Sequence, residues 1–169
     1  MKKLILLCGE NSTGKTTALK MLIAKLLQNP ALKTSVKYCR SKAKIAALAA
    51  WKVGMLLPEG DLSVVMDCKG ILVGICTDGD TIGTVWDHIV FFEKKNAKKK
   101  QACAVGVTAC HPEHLDRAKP CMVAPWNCHE IIDKKKAPKG SEDAENMATA
   151  IALFDKILKA INALNTQTP

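Results

Sequence analysis

Arginine is nearly missing from this chain. Of the 25 basic residues all but Arg40 and Arg117 are lysines, and aromatic residues make up only 4%. Sequence-specific nucleic-acid readers draw on arginine forks and aromatic stacking platforms. The formal charge of +9 therefore points to solubility, loose polyanion affinity or an anionic substrate, and leaves nucleic acid a weakly supported partner. Long hydrophobic runs are missing too: the apolar stretches span a few residues, where a membrane-crossing helix needs about 18 or more. Met1-Lys2-Lys3-Leu4 reaches Gly9-Glu10 too soon for a secretion signal. A membrane or exported protein is therefore not expected, and a cytoplasmic one is. Cys-x-x-Cys and His-x-x-x-His spacings are absent as well. The eight cysteines read as reduced thiols rather than a disulfide framework. Cys110, His111, His114, Cys121, Cys128 and His129 are the one stretch dense in ligand-type residues, but they match no zinc module. Unpaired thiols and loop histidines are the preferred reading there, with a metal as the alternative.

What is present fits one globular domain over residues 1–169: 48% of residues are hydrophobic and 24% charged, in a chain of 169. Leu4 to Cys8 is a short apolar run ended by Gly9, which predicts a buried strand. From Thr16 to Gln28, Leu19, Leu22, Ile23, Leu26 and Leu27 recur at helical spacing, and Asn29-Pro30 stops the helix. Val36 to Cys39 predicts a brief strand, and Ser41 caps an alanine-rich helix running through Val53 with Gly54 as its stop. Ser63 to Met66 and Ile71 to Cys76, joined by Asp67-Cys68-Lys69-Gly70, predict an antiparallel hairpin. A helix follows from Thr81, with Ile82, Val85, Trp86, Ile89 and Phe92 as its stripe and lysines 94, 95, 98, 99 and 100 at its end. Trp51, Trp86 and Trp126 are expected in the core. Ala102 to Thr108 reads as a strand, and either Met122 to Ala124 or His129 to Ile132 as the last one. Ser141, with Glu142, Asp143 and Glu145, opens a final helix whose stripe is Met147, Ile151, Phe154, Leu158 and Ile161. Strands alternating with helices predict an α/β fold with a mainly parallel sheet and an antiparallel strand at or near an edge.

One segment carries chemistry. Gly9-Glu10-Asn11-Ser12-Thr13-Gly14-Lys15-Thr16 satisfies G-x-x-x-x-G-K-[ST] with a strand before it and an amphipathic helix after it. It resembles the Walker A loop of the P-loop NTPase superfamily. That resemblance implies a three-layer α/β/α fold binding a nucleotide with Mg²⁺ through Gly9 to Thr17. The backbone N–H groups of the loop and the helix N-terminus form an anion nest for the phosphates, Lys15 reaches the β/γ oxygens, and the Thr16 hydroxyl is placed to ligate Mg²⁺. The Ser12-Thr13 form looks closer to the loops of RecA-type recombinases and some small-metabolite kinases. A hairpin leading into Thr77-Asp78-Gly79-Asp80 also looks like small bacterial ATP-binding proteins. Neither likeness supplies a substrate.

A metal-side carboxylate is needed at the carboxyl end of a nearby strand. Asp67 follows a hydrophobic run, but it falls in the hairpin turn, about 20 Å from the loop for a six-residue strand. Ile71 to Cys76 should run parallel to the first strand by the crossover rule. Asp78 is therefore the preferred metal ligand beside Thr16, and Asp80 is either a base, a water-positioning group or a helix cap. Arg117, with Lys119, lies where P-loop kinases often carry a basic lid; it either closes over the phosphates or is a solvated loop cation. Arg40 contacts an acceptor or is simply exposed, and lysines 134 to 139 read as solvated. The guanine-selecting N-K-x-D pattern is absent after Thr108, which favours ATP. The expected function is a kinase-like phosphotransferase using ATP and Mg²⁺ on a small molecule or nucleotide. In it Lys15 and Arg117 neutralise the moving phosphoryl group while Asp78 or Asp80 orients acceptor or metal water. The alternatives are an ATP-dependent switch or ATPase acting on a protein or nucleic-acid partner, and nucleotide binding without catalysis.

Overall fold

A computed structural model describes residues 2–79, 82–94, 101–114, 126 and 128–166, without the side chains of 82, 83, 128 and 129. Asp80, Arg117, Lys119, Cys121 and the Met122 to Ala124 alternative lie outside the described residues. The elements are β1 (Lys3–Cys8), α1 (Lys15–Gln28), a 3-10 turn (Pro30–Leu32), β2 (Ser35–Cys39), α2 (Lys42–Ala50), β3 (Ser63–Cys68), β4 (Ile71–Cys76), α3 (Ile82–Glu93), β5 (Val105–Cys110), β6 (Cys128–Asp133) and α4 (Glu142–Asn165).

Six strands form one sheet in the order β2-β3-β4-β5-β1-β6. β4, β5, β1 and β6 are mutually parallel, while β3 runs antiparallel to both of its neighbours. The antiparallel strand is thus second from an edge. Alternation along β1 feeds two cores. Ile5 and Leu7 join a cluster with α1, α2 and α4, and Leu4, Leu6 and Cys8 join another with α3 and Trp126. Helices cover both faces, as a mostly parallel sheet requires. Among the described residues no helix is long and apolar enough to cross a membrane.

The hairpin's second strand has the expected bounds, while its first runs on to Cys68 and the turn is tighter than expected. Only Lys69 and Gly70 turn the chain, at φ +54° and +84°, the left-handed pair that matches the twist of two-residue hairpins. Asp67 sits at the end of β3 beside that turn, accepting from the Gly70 N–H at 2.8 Å and pairing with Lys37 at 3.3 Å. β2 is irregular: its register against β3 shifts between Val36 and Tyr38.

Four expectations are corrected. α2 stops at Ala50 rather than Val53, because the Gln28 side-chain amide donates to the carbonyls of Leu48, Ala49 and Trp51 and meets the unpaired carbonyls of the helix end. Trp86 is 45% exposed, although Val85, Ile89 and Phe92 of its stripe are buried and Trp51 and Trp126 are in the core. β5 begins at Val105 rather than Ala102, since the Cys103 N–H donates to the Phe92 carbonyl at 2.9 Å and closes the link from α3. The fully buried stripe of α4 is Asn146, Ala150, Leu153, Ile157, Ala160 and Ile161. Met147, Phe154 and Leu158 pack at its border, and Ile151 is 43% exposed. Small residues let α4 approach α1 closely, and a search for large apolar side chains passes over them.

Candidate functional site

Because β4, β5, β1 and β6 are parallel, their carboxyl ends share one rim of the sheet. Residues 9–14, 77–79, 111–114 and 134–140 all emerge there. The 9–16 loop occupies the middle. Ser12 has φ +59° and Gly14 φ +84°. Gly14 precedes α1 without a side-chain cap, and no acidic residue lies in the helix's first turn. The exposed N–H groups and the helix dipole make this rim electropositive. A side chain on Gly14 would overlap the amide of Asn146, and one on Gly9 would meet the Lys134 carbonyl, so both glycines are needed for close approach.

Lys15 is buried and folds back, donating to the carbonyls of Gly9 at 2.5 Å and Glu10 at 2.8 Å; the Thr13 hydroxyl also donates to Glu10. Thr16 donates to the Thr77 carbonyl at 3.0 Å. That bond spans the width of β5 and sets the start of α1 beside Asp78. Asp78 accepts from His88 Nε2 at 2.9 Å, and Nδ1 of the same ring lies 2.5 Å from the Thr108 hydroxyl. A carboxylate only accepts, so Nε2 carries a proton. In the neutral ring Nδ1 then accepts from Thr108; in the charged ring it donates, and Thr108 turns to the Ala109 carbonyl at 3.2 Å. The hydrogen bond from His88 holds the Asp78 carboxyl below its ordinary range, against the opposing effect of burial.

On the other side of β1, two largely covered side chains, Lys134 and Asn146, make no hydrogen bond among the described residues. Lys134 follows β6, its N–H donating to the Cys8 carbonyl at 2.5 Å. The residue is only 5% exposed, has no hydrogen-bond or ion-pair partner among the described residues, and lines a cleft of about 300 Å³ with Gly9, Glu10, Thr13 and Asp133. Burial lowers its pKa, and Glu145 partly offsets that. Asn146 is also buried, against Gly14. A second cleft, about 420 Å³, lies on the β5 side of the loop and is lined by Asn11, Ser12, His111, Glu113 and His114; the two histidine rings lie 5.7 Å apart, and among the described residues His114 Nδ1 is buried without a partner. Cys110 pairs in register with Cys8, and burial together with that neighbour pushes its thiol up to about 12. It stays protonated at neutral pH. Among the described residues no three His, Cys, Asp or Glu side chains are grouped to hold a metal ion.

Of the residues singled out from sequence, Gly9 to Thr17 and Asp78 come together at this rim, with Asp67 at the opposite one. His88, Lys134 and Asn146 belong to the site and carried no signal in the sequence pattern. Lys134 in particular reads as one solvated lysine of a run until β6 places it under Gly9. The chain matches no protein-family model, no curated protein and no solved structure.

Proposed function

We propose that this rim binds ATP with Mg²⁺ and that the protein is a kinase-like phosphotransferase acting on a small molecule or nucleotide. The observation that carries the reading is the left-handed Ser12 and Gly14 opening onto an uncapped α1, with Lys15 and Thr16 at its start and Asp78 beside them. Backbone N–H groups converging at a helix N-terminus suit a polyphosphate. Lys15 exchanges two loop carbonyls for phosphate oxygens, which relieves a buried cation of acceptors that carry only partial charge. The Thr16 hydroxyl and the Asp78 carboxylate are hard oxygen donors and fit Mg²⁺, which supplies charge neutralisation at the transferring group when bound. His88 fixes the Asp78 carboxylate in its ionised form. The two flanking clefts give an acceptor room beside the loop. Asp80 and Arg117 keep their proposed roles as positioning group and lid cation.

The test is ligand-dependent thermal stabilisation by ATP, GTP and their diphosphates, with and without Mg²⁺, in wild type and Lys15→Ala. A ligand at 100 times its Kd adds about 2.7 kcal/mol to the folded state. A shift in wild type that Lys15→Ala loses supports the reading, and no shift at millimolar nucleotide ends it. ATP consumption only with an acceptor marks a phosphotransferase; hydrolysis without one, raised by a protein or polyanion, marks a switch.

A further inference from the structure

A groove of about 720 Å³ opens beside the first turn of α1. Thr17 and Met21 of α1, Met147 and Ile151 of α4, and Trp51 and Leu56 of the α2–β3 connection line it. Of the eight large apolar side chains exposed among the described residues, four line this groove: Val53 at 80%, Met55 at 53%, Leu56 at 97% and Ile151. Such a concentration of water-facing apolar surface marks a binding surface. The connection that carries it is pinned: Trp51 Nε1 donates to the Met55 carbonyl at 2.9 Å and Lys20 Nζ to the Pro58 carbonyl at 2.7 Å. One carboxylate, Asp143, faces the same groove and has no hydrogen-bond or ion-pair partner among the described residues.

We propose that this groove receives the nucleoside end of the triphosphate, with the base against Met21, Met147 and Leu56 and with Asp143 accepting from the exocyclic amino group of an aminopurine. This rests on the nucleotide reading above. Position is the first argument. Gly14 abuts Asn146 of α4, and the groove opens one turn further along the same two helices, between Thr17 and Met21 of α1 and Asp143 and Met147 of α4, so a triphosphate held at the start of α1 has the groove directly beside it. Continuity is the second: Thr17 follows the last residue of the loop and is the groove's first lining residue. Shape is the third, because the volume falls in the range of small-molecule sites, and an apolar lining with a single hydrogen-bonding edge suits a flat heterocycle.

The test compares equilibrium binding of Mg·ATP, Mg·purine-riboside triphosphate, which lacks the amino group, and Mg·tripolyphosphate, which lacks the nucleoside. Wild type should prefer ATP to tripolyphosphate by about tenfold or more. The double variant Val53→Ser/Leu56→Ser changes exposed side chains and should fold; it should lose most of that preference while binding tripolyphosphate as before. Asp143→Ala, which removes the acceptor, should erase the preference for ATP over the purine-riboside triphosphate. Equal binding of ATP and tripolyphosphate by wild type overturns the groove proposal and leaves the loop's phosphate role standing. An unchanged ratio in the double variant does the same, including the case in which that variant instead abolishes a concentration-dependent dimer. No binding of either polyphosphate overturns both readings.

Discussion

The two flanks of the 9–16 loop solve the burial of polar groups in opposite ways. On the β4 side, Asp78, His88 and Thr108 satisfy one another and Thr16 is tied to Thr77. On the β6 side, Lys134 and Asn146 are also largely covered, yet among the described residues neither side chain has a hydrogen-bond partner, and Lys134 lines an open cleft. A wired cluster holds its geometry before any ligand arrives. Partly desolvated groups without a protein partner carry a cost that an incoming polar ligand can offset. The contrast separates a flank that is already positioned from one built to be completed.

Gly14→Ala would break both flanks at once. The new side chain meets Asn146 and must adopt φ +84°, so a loss of about 3 kcal/mol or more is expected in urea unfolding, with nucleotide binding lost too. His88→Ala would break only the wired flank. It removes the donor to Asp78 and opens a small void beside Thr108, whose hydroxyl keeps the Ala109 carbonyl, and should cost about 2–3 kcal/mol. Its pH dependence sharpens the point. Because the Asp78 pKa is lowered in the folded protein, its contribution is present above the unfolded carboxyl value near about pH 4 and fades as pH falls through the folded value. The stability gap between wild type and His88→Ala should narrow in acid.

Lys134→Met tests the other flank and has the smallest effect. Without ligand the variant should be more stable at neutral pH, by about 1 kcal/mol or less, since it removes a desolvated cation. The folded pKa of Lys134 lies below its ordinary 10.5, so wild type gains stability as pH rises from that lowered value toward 10.5, where the unfolded chain binds more protons. The advantage of the variant should shrink over that alkaline window. Denaturant midpoints at neutral pH and at pH 10 check this. A less stable variant would mean that Lys134 has a structural partner, and the contrast between the flanks would fail.

Local patterns made most of the frame legible. The apolar run of β1, the glycines at 9 and 14, the period of α1 and the β3–β4 hairpin each follow from neighbouring residues, and the crossover rule then places Asp78 on the same rim as the loop. What escaped depends on partners far along the chain. His88 joins the site through Thr108, twenty residues away, and Lys134 through the Cys8 carbonyl, across the β1–β6 pairing. The buried face of α4 departs from its large apolar stripe for a related reason: Ala150 and Ala160 are buried by the close approach of helices and Asn146 by Gly14, not by their own hydrophobicity. The end of α2 turned on a glutamine in another helix.

The irregular register of β2 bears on association. Every open sheet has two edges, and an edge strand offers unpaired N–H and C=O groups as a template for further strands. On β2 the shift between Val36 and Tyr38 interrupts that row where Lys37 sits. An approaching strand would have to skip a residue and leave a lysine against its backbone. With Val36 exposed beside it, a regular β2 would present a sticky margin; the irregularity blunts it, so copies of the chain are discouraged from extending the sheet into one another.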